Sequence, residues 1–447
     1  MTHVDAGDTA WLLTAAALVL LMAPGLALFY GGMVRSKAVL NMMMMTVGAL
    51  AVILVVWVLF GYSLAFGDDL AGGLLGNPLQ YAGLQSLLSS QADSWLTVPV
   101  ILFAAFQGLF AVITGALVSG AVADRARFGA WLVFIAAWAV LVYAPVAHWV
   151  FDLDRDGHSG GWLVNKVGLV DFAGGTAVEI CSGASALALA LVVGTRVGFG
   201  KDPMRPHNLT LVMLGAGLLW FGWFGFNAGS ALGANHSAAV VFVTTLCAGA
   251  AGSLGWLALE RVRDGHATTL GAASGMVAGL VAITPSCGSV SPLGALVVGA
   301  AAGVVCALAV GLKYRWGYDD SLDVVGVHLV GGLVGTLAIG LLATAAAPTG
   351  VDGLFYGGGA GQLGRQAVGA GVVLVYAFTV SLLIARAVDR LMAFRVDEEH
   401  EITGIDLVIH AETAYDLHGA SGARTGDFTL PKATEGPFRA TDRRSID

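Results

Sequence analysis

Glu179 and His328 are the residues whose types and settings ask most directly for a chemical explanation. Each lies inside a long apolar run, and no other readily ionisable side chain occupies the middle of such a run. A charged side chain in hydrocarbon costs at least ~2.5 kcal/mol, so groups of this kind pair with each other or line a pathway. A carboxyl and an imidazole in contact could share or pass a proton; the plainer reading is a hydrogen bond that holds two helices together. Small residues follow both: Gly183 and Ala186 after Glu179, Gly332 and Gly335 after His328. At i+4 and i+7 these let helix backbones approach closely. Phe106 and Phe110 stand four residues apart, as do Phe226 and Ser230, so each pair shares one helix face. Such aromatics either converge on a constriction or pack as core or against lipid, and spacing alone does not choose.

The elements that must position these residues follow from composition. Of 447 residues, 57% are hydrophobic, 12% charged and 63 glycine, which points to a polytopic membrane protein. No Asp, Glu, Lys or Arg occurs between His266 and Lys313, and similar gaps run from Asp8 to Arg35, Lys37 to Asp68, Asp93 to Asp124, Arg205 to Glu260 and Arg365 to Arg386. Each holds one or two of the roughly 20-residue lengths that span a bilayer as helix, and none alternates as a barrel strand would. The expected fold is all-α with eleven transmembrane helices, near 9–31, 41–64, 98–122, 128–150, 169–194, 208–231, 237–259, 267–285, 291–312, 324–346 and 366–388. Alternate loops carry Arg35, Lys37, Arg125, Arg127, Arg196, Lys201, Arg205, Arg261, Arg263, Lys313 and Arg315, against Arg155, Lys166 and Arg365 in the others. The basic set is therefore cytoplasmic, which puts the N-terminus outside and the C-terminus inside.

Span five runs inward from about Asp171, placing Glu179 roughly 12 Å along it, and span ten enters from the opposite side with His328 roughly 8–13 Å along. Equal depth, opposite direction and similar small-residue spacing suggest an inverted repeat of spans one to five against six to ten, with a site at the interface. The acidic start of the chain argues against a cleavable leader. Cys181, Cys247, Cys287 and Cys306 have no metal-ligand spacing and are expected reduced and packed. Residues 1–390 form the membrane domain. Residues 391–447 form a cytoplasmic tail with eleven acids and six basic residues, expected to be partly structured near Glu401–Leu417 and disordered after Gly419.

An intramembrane enzyme using Glu179 and His328 as acid and base lacks a nucleophile or metal set, since no H-E-x-x-H motif and no mid-depth Asp pair is present. A potassium-type filter such as T-V-G-Y-G is missing too. No catalytic residue, metal, cofactor or nucleic-acid partner is expected.

Five ordered motifs carry a resemblance: Ala23-Pro-Gly-Leu-Ala-Leu-Phe-Tyr-Gly-Gly-Met33, Asp171-Phe-Ala-Gly-Gly-Thr-Ala-Val-Glu179, Gly222-Trp-Phe-Gly-Phe-Asn-Ala-Gly-Ser230, Asp319-Asp-Ser-Leu-Asp323 leading to His328, and the tail segment His400-Glu-Ile-Thr-Gly-Ile-Asp406. The chain resembles the ammonium transporter (Amt/Mep/Rh) family from about Asp8 to Leu417, and its Amt/Mep branch in particular. The resemblance implies a homotrimer in the cell membrane, each protomer with its own pore conducting ammonium or ammonia for nitrogen uptake. It implies that Ser230 lines an outer recruitment site, that Phe110 and Phe226 form a stacked gate with Phe106 and Trp223 close by, and that Glu179 and His328 occupy the pore-histidine positions. Two departures stand out. Glu179 replaces the commoner His, and the outer aromatic, usually Trp in Ala-His-x-Val-Trp, is Phe151 in Ala147-His148-Trp149-Val150-Phe151. Phe is a weaker cation–π partner, and Trp149, on another helix face, cannot be assumed to replace it. Asp171 either caps the fifth helix or stabilises an incoming cation directly, two compatible roles. His148 reads as a satisfied interfacial histidine, and His236 has no assigned role. The implied sequence is recruitment, deprotonation and passage of ammonia, with the proton travelling separately through Glu179 and His328. The alternative is an ammonium sensor signalling through its tail, which is too short for a typical kinase or cyclase domain. A PII-class regulator is the partner implied at the tail.

Overall fold

The computed structural model of the chain describes residues 4–89 and 95–415. Among these no strand forms, and eleven helices are long and apolar enough to cross a bilayer: Ala6–Met33, Val39–Phe66, Val100–Val122, Phe128–Phe151, Gly175–Val193, Leu209–Gly229, His236–Arg263, Thr269–Ser286, Pro292–Trp316, Val325–Leu342 and Gly361–Met392. The number and class are those expected from the charge-free runs, because a backbone crossing hydrocarbon must bond to itself. Polar side chains set many of the starts. Asp5, Asn208, Asn235, Thr268 and Ser291 each accept a backbone N–H three residues on, fixing the first, sixth, seventh, eighth and ninth spans.

Several helix boundaries shift from the sequence expectation, those of the fifth, tenth and eleventh spans among them. The fifth span starts at Gly175 rather than near 169, because Asp171 holds the preceding turn and Gly174 takes a left-handed φ of 110° that an ordinary side chain resists. The tenth stops at Leu342 rather than near 346, where the chain turns extended at Ala343. The eleventh starts at Gly361, five residues earlier than expected.

Loops sort into two ends. At one, ion pairs join Arg35 to Asp124, Arg196 to Asp124 and Asp319, and Arg395 to Glu401. At the other, His158 bridges Asp68 and Asp152, and Thr344 N–H donates to Ser289 O at 2.9 Å. Consecutive loops thus lie at opposite ends, so each span crosses once. The third and fifth spans are the most enclosed; the second and eleventh show their flanks outward. The first span lies along the sixth at close range: a Cβ on Gly222 would strike Met22, and one on Gly225 would strike Leu18 and Ala15. Small residues substitute here for the hydrophobic drive that lipid removes. Outward positions such as Leu254, Val375 and Leu383 stay apolar and exposed, as a lipid-facing surface requires. Cys181, Cys287 and Cys306 are buried, Cys247 is half-buried, and all four are free thiols.

After the last span the chain forms a short helix, Glu398–Thr403, and a π turn, Asp406–His410. Glu401 is buried and accepts from Val197 N–H at 2.8 Å and Arg395 Nη2 at 3.0 Å. Asp406 accepts from the N–H groups of Leu40 and Asn41 at 2.9 and 2.8 Å, capping a span whose own N-cap residue, Ala38, has no acceptor. The expectation of disorder after Gly419 falls outside the described residues.

Candidate functional site

The fifth and tenth spans enter from opposite ends, and each opens on a π-helical turn, Gly175–Ile180 and Val325–Leu329. Glu179 lies in the first turn and His328 in the second. Single π turns inside helices recur at functional sites because they re-aim side chains. The two helices meet where the small residues allow it: a Cβ on Gly183 would overlap the Leu329 backbone, and one on Gly332 would lie 2.9 Å from Glu179 Cβ. Gly335 serves a different neighbour, packing on Ala282 of the eighth span. His328 Nδ1 lies 2.6 Å from Glu179 Oε2, with both side chains buried. That separation is shorter than the roughly 2.9 Å usual for an N–H···O bond. A carboxyl and an imidazole at this distance share a hydrogen bond, with the donor set by the imidazole tautomer.

The aromatics converge. Phe110 and Phe226 stack with ring centroids 4.0 Å apart and planes at 17°. Phe106 meets Phe110 edge-on at 4.9 Å, and Trp223 sits 5.9 Å from Phe226, its Nε1–H donating to Thr284 Oγ1 at 2.8 Å. Phe110 is also part of the wall of a cavity of about 180 Å³ that Phe151, Asp171 and Ser230 help to line. Phe110 thus belongs to both the cavity and the stack. Ser230 donates its hydroxyl proton to Phe226 O at 2.8 Å, which leaves the oxygen's lone pairs as acceptors.

Asp171 accepts four backbone N–H bonds: Oδ1 from Gly174 and Gly175 at 2.8 Å each, Oδ2 from Thr176 at 2.7 Å and Ala177 at 3.3 Å. It caps the fifth span while its side chain borders the cavity. Trp149 points elsewhere, donating to Leu74 O at 2.8 Å and packing on Tyr376 at 4.6 Å. His148 is fully buried near the end of the fourth span. Its Nδ1 meets Ala65 O at 3.0 Å, and Asp152 lies 3.3 Å away. His236 is the exposed first residue of the seventh span.

Further residues that line the cavity include Trp95, Phe103, Gln107 and Phe172. Phe103 was within reach of sequence reasoning, since positions 103, 106 and 110 share one helix face. Trp95 was not, because a loop residue carries no periodicity.

Comparison with known proteins places these features among relatives. The model of the Ammonium Transporter Family matches residues 10–415. The chain is 59% identical over 440 residues to the ammonium transporter of Mycobacterium tuberculosis, covering 94% of this chain and 92% of that one. It is 46% identical to that of Bacillus subtilis, covering 92% and 98%. Among solved structures it resembles Mep2 of Saccharomyces cerevisiae, with a TM-score of 0.80 and 36% identity over 89% of each chain. It also resembles a protein described as a Sensor Amt Protein, with a TM-score of 0.83 and 28% identity over 90% of this chain and 98% of that one.

Proposed function

The chain belongs to the ammonium transporter family, and on that footing we propose that it moves ammonium or ammonia through a pore of its own across the cell membrane. The observation that carries this reading is the Phe110–Phe226 stack, whose Phe110 also lines a cavity that offers a hydroxyl acceptor and aromatic faces. Ammonium is small, positively charged and donates four hydrogen bonds. Ser230 accepts one of its N–H groups, and Phe151 offers a face to its charge, less strongly than a Trp would. A hydrated cation does not pass between two rings 4.0 Å apart; the cation gives up a proton, and neutral ammonia slips through as the rings part. Glu179, standing where the family commonly has His, and His328 then provide the separate route for the proton, making transport electrogenic. Asp171 holds the fifth helix in register by its four backbone bonds and lends negative potential to the cavity.

The excess of basic residues at the tail end orients that face to the cytoplasm, with the N-terminus outside. Protomers assemble as homotrimers, and the tail face receives a trimeric PII-class regulator. The likeness to the Sensor Amt Protein favours one second reading, in which the bundle binds ammonium and reports it through the tail. Purified protein in proteoliposomes given matched ammonium and potassium pulses separates the readings. A sustained ammonium-specific current is expected. Internal alkalinisation without current would mean neutral conduction and overturn the proton route, and binding with neither signal would establish the sensor.

A further inference from the structure

The aromatic assigned to the outer cation is Phe151, and Trp149 is turned away onto Tyr376. A different tryptophan reaches the same cavity. Trp95, from the connection before the third span, lines it together with Ser230, Phe110 and Asp171. Its ring is steadied edge-on against Phe103, at 5.2 Å and 85°. A cation already sits on it: the guanidinium carbon of Arg155 lies 5.0 Å from the indole centroid, inside the distance at which a cation and a π face attract. Arg155 is in turn moored to Asp152 by a 3.0 Å ion pair, and Asp152 is held by His158 at 2.8 Å. Indole is the strongest of the aromatic cation acceptors and phenyl the weakest.

We propose that Trp95 is the specificity-determining aromatic of the outer cation site, and that Arg155 is a tethered competitor for its face. This rests on the transport reading above. When ammonium enters, it takes the indole face and a hydrogen bond to Ser230, while the guanidinium retreats to Asp152 without leaving its salt bridge. A small alkali cation lacks N–H donors for Ser230, so the combination selects for ammonium over a bare charge. The rival explanation is a latch, in which Arg155 and Trp95 merely pin two loops together.

The two explanations predict opposite signs. Competition expects Trp95→Leu to raise the half-saturating ammonium concentration roughly five- to tenfold, with Trp95→Phe in between, and Arg155→Gln to lower it severalfold. A latch expects both substitutions to lower thermal stability and to move half-saturation together or not at all. Calorimetric titration of the full-length protein with ammonium chloride against potassium chloride, paired with proteoliposome currents, reads both. Unchanged ammonium affinity in Trp95→Leu overturns the inference, as does a shift of Arg155→Gln in the same direction as Trp95→Leu. Wild-type protein that binds ammonium but carries none removes the transport reading while leaving the Trp95 site to stand on its binding data.

Discussion

Among the described residues, the buried ionisable groups in the middle of the bundle and those at its tail end differ in how completely they are satisfied. At the tail end Arg125 is fully buried, and its five N–H groups have five acceptors: Gly194 O, Ala123 O, Ser321 Oγ, Ala121 O and Asp319 O, at 2.6–3.2 Å. Asp319 grips Arg196 with both oxygens at 2.8 and 2.9 Å and also accepts its backbone N–H at 2.7 Å. Burial pushes the Arg125 guanidinium down to about 10, against the pull of Asp319, and it remains charged at neutral pH. Burial alone would raise Asp319, but the bonds from Arg196 and the charges of Arg125 and Arg196 bring it below the usual carboxylate range. The network joins four loops and leaves its guanidinium no spare donor. Glu179 and His328 have one bond between them and come from two helices. Burial is common to both sets; what separates a structural cluster from one that can exchange a proton is how many alternatives its atoms retain.

The largest test of that contrast is Arg125→Met. Removing one partner from a buried charged network costs about 3–5 kcal/mol, so the variant should lose most folded, monodisperse protein in size-exclusion runs. Arg125→Lys should recover little of it, since an ammonium has three donors for five acceptors. Recovery of wild-type yield by either variant would break the comparison.

Asp320 sharpens it as one of the exceptions within the tail-end set, where Asp124 Oδ1 and Arg395 Nε are also buried without a hydrogen-bond partner. It is buried with Oδ2 accepting from Val325 N–H at 2.7 Å, while Oδ1 has no hydrogen-bond partner. Burial raises its carboxyl to about 6, Lys313 opposing and Asp323 adding to the shift. A carboxyl raised in the folded state binds its proton more tightly there, so stability falls as pH climbs from about 4 to about 6 and stays reduced above. Asp320→Asn should therefore stabilise the protein at pH 7.5 by on the order of 2–3 kcal/mol and flatten melting temperature between pH 4.5 and 7. A variant that melts lower at pH 7.5 would mean the charge is needed.

For the central pair, Glu179→Gln keeps the shape and one hydrogen bond, so stability should change by about 1 kcal/mol or less. Ammonium current should fall roughly tenfold or more if the carboxyl handles the proton; an unchanged current together with a large stability loss would make this pair a strut like the network. The smallest effect belongs to the vestibule end. His158 is raised above its ordinary value, since its bonds to Asp152 and Asp68 outweigh burial, which acts the other way. Asp152 is lowered, the bonds from His148 and His158 outweighing its own burial. The strap is therefore at full strength from about pH 4 to about 6.5 and weakens as pH rises through the raised histidine value. Limited proteolysis of this end should be faster at pH 8.5 than at 5.5 in wild type, and independent of pH in His158→Gln.

The eleven spans were legible because a bilayer penalises every charge and every unpaired backbone group, which leaves charge-free runs of the right length. Glu179 and His328 were legible for the same reason, as exceptions to the rule. The tail-end network was not: Arg125, Arg196 and Asp319 lie in loops, where charge normally means solvent, and only the closure of four loops on one another buries them. Starts of helices were read less well than their middles, as Asp171 illustrates, because a side chain that bonds the first N–H groups competes with further helix. Asp406 capping a helix more than 360 residues earlier has no local signal at all.

Residue order alone therefore determined the membrane class, the number of crossings, the presence of two ionisable groups inside apolar spans and the small residues beside them, since each follows from local composition and helix period. Tertiary structure decided that Glu179 and His328 touch, that Phe110 meets Phe226 face to face, and which tryptophan reaches the vestibule. These depend on how helices from distant parts of the chain rotate and dock, and contacts set by packing leave no trace in spacing along one helix.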